Sequence, residues 1–100
     1  MPTPAVAYLV RKYNADAGVV ISASHNPMEF NGIKIFAGTG YKLPDDVEEE
    51  IEAHIDDKCA GIPLATGDGV GRVTRRIDGI KDYVEHLYES IGGDLSGLNI

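Results

Sequence analysis

Gly18-Val19-Val20-Ile21-Ser22-Ala23-Ser24-His25-Asn26-Pro27 is the stretch around which the rest of the chain can be organised. Its first four residues form a run rich in β-branched side chains, the composition of a short strand buried on both faces. The six that follow are small, polar or turn-forming, and they read as a loop delivered by the carboxyl end of that strand. Open α/β sheets bind ligands outside the carboxyl ends of their strands, where loops can vary without disturbing the core. Chemistry is therefore expected between Ser22 and Phe30.

Upstream, Thr3 is a possible N-cap and Pro4 suits the first helical position. Val6, Leu9, Val10 and Tyr13 then fall on one helical face, which predicts a helix ending near Asn14. Downstream, Asn31-Gly32 supplies a turn signal, and Ile33, Ile35 and Phe36 give a second short strand interrupted by Lys34. Gly38, Gly40 and Pro44 mark a further loop. From Asp45 to Lys58 the apolar positions Val47, Ile51, Ile55 and Cys59 recur every four residues, and acidic residues in the first turn oppose the helix dipole. That pattern predicts a surface helix with one buried stripe. Gly61 to Gly71 reads as loop.

Asp78 can cap a last helix whose inner face would be Ile80, Val84, Leu87 and Ile91, with Gly92 placed to end it. After Gly92-Gly93, the apolar run from Leu98 to Ile100 reads as the start of another strand. The fold class expected is α/β, a mixed sheet with flanking helices.

The chain has 100 residues, 43% hydrophobic and 25% charged, which suits one folded unit and argues against disorder. Its net charge of -7 is concentrated between Asp45 and Asp57, so no basic surface for nucleic acid is indicated. One cysteine, Cys59, cannot form an internal disulfide, and it reads as a small buried apolar residue in a cytoplasmic protein. No apolar run approaches the roughly 20 residues of a membrane-spanning helix. The sequence contains no internal repeat.

Ile21-Ser22-Ala23-Ser24-His25-Asn26-Pro27, followed by Asn31-Gly32-Ile33-Lys34, resembles the phosphoserine loop of the α-D-phosphohexomutase family. The likeness extends from Met1-Pro2-Thr3-Pro4-Ala5-Val6-Ala7-Tyr8 to the Gly71-Arg72-Val73 segment. Serine at position 22, with the Pro2 to Tyr8 segment, looks most like the branch that interconverts glucosamine 6-phosphate and glucosamine 1-phosphate. Branches acting on glucose or mannose phosphates more often carry threonine there. The resemblance implies an incomplete piece of a four-domain enzyme, residues 1–92 being a partial first domain and 93–100 the start of the second.

It also implies roles. Ser24 would carry the transferable phosphoryl group, passing it to a free hydroxyl of a phosphorylated hexosamine and recovering the other phosphate from the bisphosphate. A phosphate oxygen on Ser24 would give one ligand to Mg²⁺. Lys34 would stabilise the phosphate or shuttle a proton, and His25 would hydrogen-bond beside it or act as acid or base. The family's three-aspartate metal loop has only a superficial counterpart in Gly67-Asp68-Gly69-Val70-Gly71-Arg72, which has one carboxylate and is rejected as a metal site.

Blander readings stand beside these. A Ser-His pair before Asn-Pro is by itself a polar turn. Ser22 is a competing carrier, though nearer the strand. Lys34 points either to solvent or into the site, and periodicity does not choose between them. His54 and His86 read as surface or satisfied histidines, and Tyr8, Tyr13, Tyr83 and Tyr88 as core-packing rings. An isolated piece of this kind would be inactive, and a free sheet edge beside an apolar face would favour self-association.

Overall fold

The computed structural model describes residues 1–99. Three α-helices and two strands follow one another as α1 (Thr3–Lys12), β1 (Ala17–Ser22), β2 (Gly32–Ala37), α2 (Asp45–Asp56) and α3 (Gly79–Ile91). The α/β class expected from the sequence is the one formed. Its sheet is a two-stranded antiparallel ribbon among the described residues, with Ala17 opposite Ala37 and Ser22 opposite Gly32.

α1 starts one residue before the position expected. Pro2, extended at ψ 157°, is the cap, and no side chain closes the first turn. Thr3 is already helical and Pro4 occupies the second position, where its missing N–H is still among the helix's unpaired donors. The helix buries Ala5, Leu9 and Val10, the centre of the core. Tyr13 caps its carboxyl end, and Asn14 turns the chain at φ 53°, a conformation that asparagine tolerates.

β1 lies against α1 at Gly18, and only glycine fits there. A Cβ at that position would stand 2.3 Å from Val10 Cγ2 and 3.0 Å from Val6 Cγ1. The strand is not buried on both faces as expected. Burial alternates along it: Gly18, Val20 and Ser22 are half-buried on the side of α1, while Val19 and Ile21 remain 59% and 73% exposed on the other. One helix covers one face of a ribbon, and the period-two alternation of side chains leaves the second face open.

Asn31-Gly32 does not form the tight hairpin turn its composition suggests. Asn31 has φ -58° and ψ 137°, and Gly32 is already in β2. The connection is instead the longer segment 23–31, which contains a 3-10 turn at Met28–Phe30. Beyond β2, the Gly40 N–H donates to the Ala37 carbonyl and the Ala37 N–H to the Tyr41 carbonyl, which places Lys42 in a bridge with Phe36. Gly40 has φ 81°, and a Cβ there would stand 2.7 Å from the Ala7 carbonyl oxygen of α1.

α2 carries its acids in the first turn as expected, and Lys42 pairs with Asp45 at 3.2 Å and Glu48 at 2.9 Å. Its apolar stripe is not buried. Ile51 and Ile55 face Ile33 and Ile35 of β2 across a groove of about 300 Å³. Cys59, expected inside, is exposed: the helix ends at Asp56, and Lys58 and Cys59 turn outward at φ 52° and 56°.

α3 begins after Asp78 and ends at Gly92, which takes φ 62° as expected of a C-cap glycine. Asp78 is the cap, but its side chain closes no hydrogen bond. The face turned to α1 is not the apolar one. Ile80, Val84, Leu87 and Ile91 are exposed, and Gly79, Asp82, Tyr83 and His86 meet α1 instead.

Polar and aromatic pairing holds that contact. The Tyr13 hydroxyl donates to Asp82, Lys12 pairs with the same carboxylate at 3.0 Å, and the His86 ring stacks on Tyr8 with centroids 4.0 Å apart. Arg76 lies over the Tyr13 ring at 4.3 Å. Tyr8, Tyr13 and Tyr83 are half-buried, as read from sequence, whereas Tyr88 is exposed and so is His54. The loop 61–71 contains only the short 3-10 turn Gly67–Gly69. Leu98 and Asn99 form no strand, and Ile100, where the expected strand would continue, lies outside the described residues. No helix is long and apolar enough to cross a membrane among the described residues.

Candidate active site

Three observations place the serine loop. β1 ends at Ser22, which is paired with Gly32, so the loop leaves the sheet at one end and returns to the adjacent strand. The Asn26 N–H donates to the Ala23 carbonyl at 3.0 Å, closing a turn over residues 23–26. The Phe30 N–H to Pro27 carbonyl bond, also 3.0 Å, closes a second turn that leads into β2.

Ser24 is the second residue of the first turn and has φ 59°. A positive φ at that position ordinarily calls for glycine. For a residue with a Cβ the left-handed region costs roughly 1–2 kcal/mol. A local bond opposes the cost: the Ser24 N–H donates to Ser22 Oγ at 2.9 Å. A net hydrogen bond contributes about 0.5–1.5 kcal/mol, comparable with the strain. Strained non-glycine residues gather at functional positions, where the surrounding structure holds them in place.

The Ser24 side chain is exposed, and its Oγ lies 3.3 Å from His25 Nδ1. A hydroxyl beside an imidazole can pass its proton to the ring or receive one from it, depending on the tautomer. Ser22, by contrast, is half-buried at the strand end, with its oxygen engaged by the Ser24 N–H. Of the two serines, Ser24 is the one open to a substrate.

Lys34 pairs with Val20 across the ribbon. Cross-strand partners share a face, so Lys34 stands on the same face as Val20 and Ser22, and it is exposed there. Because Gly32 is the partner of Ser22, Lys34 is its diagonal neighbour, at roughly 7–8 Å between backbones, a span a lysine side chain covers. Among the described residues Lys34 makes none of the ion pairs. The ribbon therefore puts Ser22 and Lys34 on one sheet face, and the turn carrying Ser24 and His25 follows directly from Ser22.

The described residues contain no group of three or more His, Cys, Asp or Glu placed to hold a metal ion. Asp68 stands within the 3-10 turn Gly67–Gly69. Asp82 is held below its ordinary 3.8, first by the Tyr13 hydroxyl and then by Lys12, and the same contacts raise Tyr13 and Lys12. The hydrogen bond from Ser24 to Ser22 was not anticipated from sequence, although a Ser-x-Ser spacing at the end of a strand is the signal of such a local side-chain acceptor.

The model of the phosphoglucomutase/phosphomannomutase alpha/beta/alpha domain I matches residues 1–60. Over 100 residues the chain is 56% identical to a protein named phosphoglucosamine mutase from Clostridium tetani (strain Massachusetts / E88). It is 61% identical over 100 residues to one of the same name from Pelotomaculum thermopropionicum. A third of that name, from Clostridium botulinum (strain 657 / Type Ba4), is 54% identical over 101 residues. Each comparison takes in 100% of this chain and 22% of the relative, so the chain spans about a fifth of the length of these proteins.

Proposed function

The chain belongs to the phosphoglucomutase/phosphomannomutase family through its domain I, and from that premise we propose that Ser24 is the phosphoryl carrier of a mutase acting on glucosamine phosphates. The observation that carries the reading is an exposed serine hydroxyl held at positive φ beyond the carboxyl end of β1, beside an imidazole. The name that the relatives share supports the choice of sugar.

In this reading the P–Oγ bond of phosphorylated Ser24 breaks as a P–O bond forms to the free hydroxyl of the sugar monophosphate, which loses its proton. The bisphosphate then returns its other phosphoryl group to Ser24, and the glucosamine phosphate leaves as its isomer. Lys34, on the face shared with Ser22, supplies positive charge toward the phosphoryl oxygens or takes part in the proton transfer. His25 orients Ser24 Oγ or exchanges its proton.

Mg²⁺ enters as a cofactor of the whole protein that offsets phosphoryl charge, with one ligand from this chain, a phosphate oxygen on Ser24. The described side chains do not by themselves fit a metal site, so no step is assigned through it. The chain alone, with one candidate ligand and an open loop, is read as inactive and the whole protein as cytoplasmic.

The test is to incubate the whole protein carrying this stretch with Mg²⁺ and glucosamine, glucose or mannose bisphosphate, then map added phosphate by peptide mass spectrometry. Phosphate on Ser24, acquired fastest from the glucosamine compound, and loss of turnover in Ser24→Ala are the expected results. Retained turnover in Ser24→Ala refutes the assignment.

A second reading concerns the chain by itself. The open ribbon face exposes Val19, Ile21 and Ile33, the outer edge of β1 carries no charged residue, and edges of that kind pair readily. We infer that the isolated chain associates with a second copy through this edge. Light scattering should show mass rising with concentration, and Ile21→Lys should abolish the rise; a monomer at high concentration excludes it.

A further inference from the structure

We propose that Ser22 is a positioning residue for the reaction: its hydroxyl oxygen, accepting from the Ser24 N–H at 2.9 Å, holds the phosphoryl-carrying serine in its left-handed conformation. The proposal rests on Ser24 being the carrier, as argued above. Four non-glycine residues among those described take positive φ. Asn14 is of the type that tolerates it, and Lys58 and Cys59 follow a helix end, where no reacting group depends on their geometry. Ser24 differs from all three. Its N–H is engaged by a side chain two residues back, anchored in the sheet by pairing with Gly32.

The geometry also separates the two serines. Ser22 is half-buried with its oxygen turned to the Ser24 backbone, and Ser24 is exposed with its oxygen turned to His25. If the Ser22 acceptor is removed, the Ser24 N–H loses its partner, and the Asn26 to Ala23 bond is left as the one described hydrogen bond closing the turn that holds φ 59°. The backbone relaxes toward negative φ, and Oγ moves away from His25. A misplaced nucleophile lowers the rate of the chemical step more than it weakens substrate binding. Threonine at position 22 keeps the acceptor oxygen and should keep the conformation.

The test compares Ser22→Ala, Ser22→Thr and the unsubstituted whole protein. It measures kcat, KM, the rate at which glucosamine bisphosphate labels Ser24, and hydrogen exchange at the Ser24 amide. Ser22→Ala should lower kcat and the labelling rate about ten- to a hundredfold with little change in KM, and should speed exchange at the Ser24 amide. Ser22→Thr should restore all three. If Ser24 is labelled in the unsubstituted protein and Ser22→Ala labels and turns over at the same rate, the positioning role is refuted while the carrier assignment stands. If Ser22→Thr fails as badly as Ser22→Ala despite an intact thermal transition, the hydroxyl is not the feature that matters and the proposal also falls. If Ser24 is never labelled, both readings fall together.

Discussion

Replacing Gly18 with alanine tests how β1 is seated on α1. The new Cβ would stand 2.3 Å from Val10 Cγ2 and 3.0 Å from Val6 Cγ1, against an ordinary carbon–carbon separation of about 3.5–4.0 Å. Val10 is 4% exposed and β-branched, so neither solvent nor another rotamer offers it room. β1 must therefore withdraw from α1 by roughly 1 Å, and overpacking of that size costs about 1–3 kcal/mol. The lower entropy of the unfolded alanine chain offsets only about 0.4–1 kcal/mol.

For a urea slope near 2 kcal/mol/M, far-UV circular dichroism should show a midpoint lower by about 0.5–1 M. The decisive measurement adds Val10→Ala. Alone it removes buried methyl groups and destabilises by about 1.5–2 kcal/mol at roughly 0.8 kcal/mol per buried carbon. Combined with Gly18→Ala it removes the 2.3 Å contact and leaves the milder one of 3.0 Å to Val6 Cγ1. The double variant should then be at least about 1 kcal/mol more stable than the sum of the single changes predicts. Strict additivity, or a Gly18→Ala protein as stable as the parent, would refute this account of how the strand bearing the serine loop is placed.

Asp82, held below 3.8 by Tyr13 and Lys12, should contribute stability above the unfolded carboxylate value and lose it as pH falls through the lower folded value. An acid titration of the α1–α3 contact should show this loss below 3.8, and Asp82→Asn should flatten that limb. Tyr13 is raised above 10.0 by the same carboxylate, so its contribution is present below that value and disappears as pH rises through its higher folded pKa. Gly40→Ala combines φ 81° with a 2.7 Å approach to the Ala7 carbonyl, and should lower the urea midpoint without the rescue that Val10→Ala gives Gly18→Ala. Cys59, exposed beyond α2, should react with a thiol reagent in the folded protein nearly as fast as in urea; strong protection would contradict its placement.

Features fixed within a few residues were legible in the sequence. The α1 stripe, the β1 run, the acidic start of α2 and the Gly92 stop each arise from contacts between neighbours along the chain, and the structure keeps all four. What was not legible was which apolar stripe would be covered. Periodicity placed Ile80, Val84, Leu87 and Ile91 inward, yet α3 meets α1 through Asp82, Tyr83 and His86. A stripe reports that a helix has an apolar face, while the partner for that face depends on residues distant in sequence. Here Tyr13, Lys12 and Tyr8 supply specific polar and stacking partners, and those fix which side of α3 turns toward α1.

The same division runs through the candidate site. Ser22, Ser24 and His25 lie within four consecutive residues, and the bonds from Ser24 to the other two are local, so the motif alone could single them out. Lys34 is different. Its place near the serines depends on the register that sets Ser22 opposite Gly32 and Val20 opposite Lys34. That register depends in turn on the loop 23–31, with its two hydrogen-bonded turns. A slip of one residue would carry Lys34 to the opposite face, beside Ile21 and Val19, while leaving the serine turn itself unchanged. The loop thus has two separable roles: its first turn sets the geometry of Ser24, and its length determines whether the charge on β2 shares a face with Ser22.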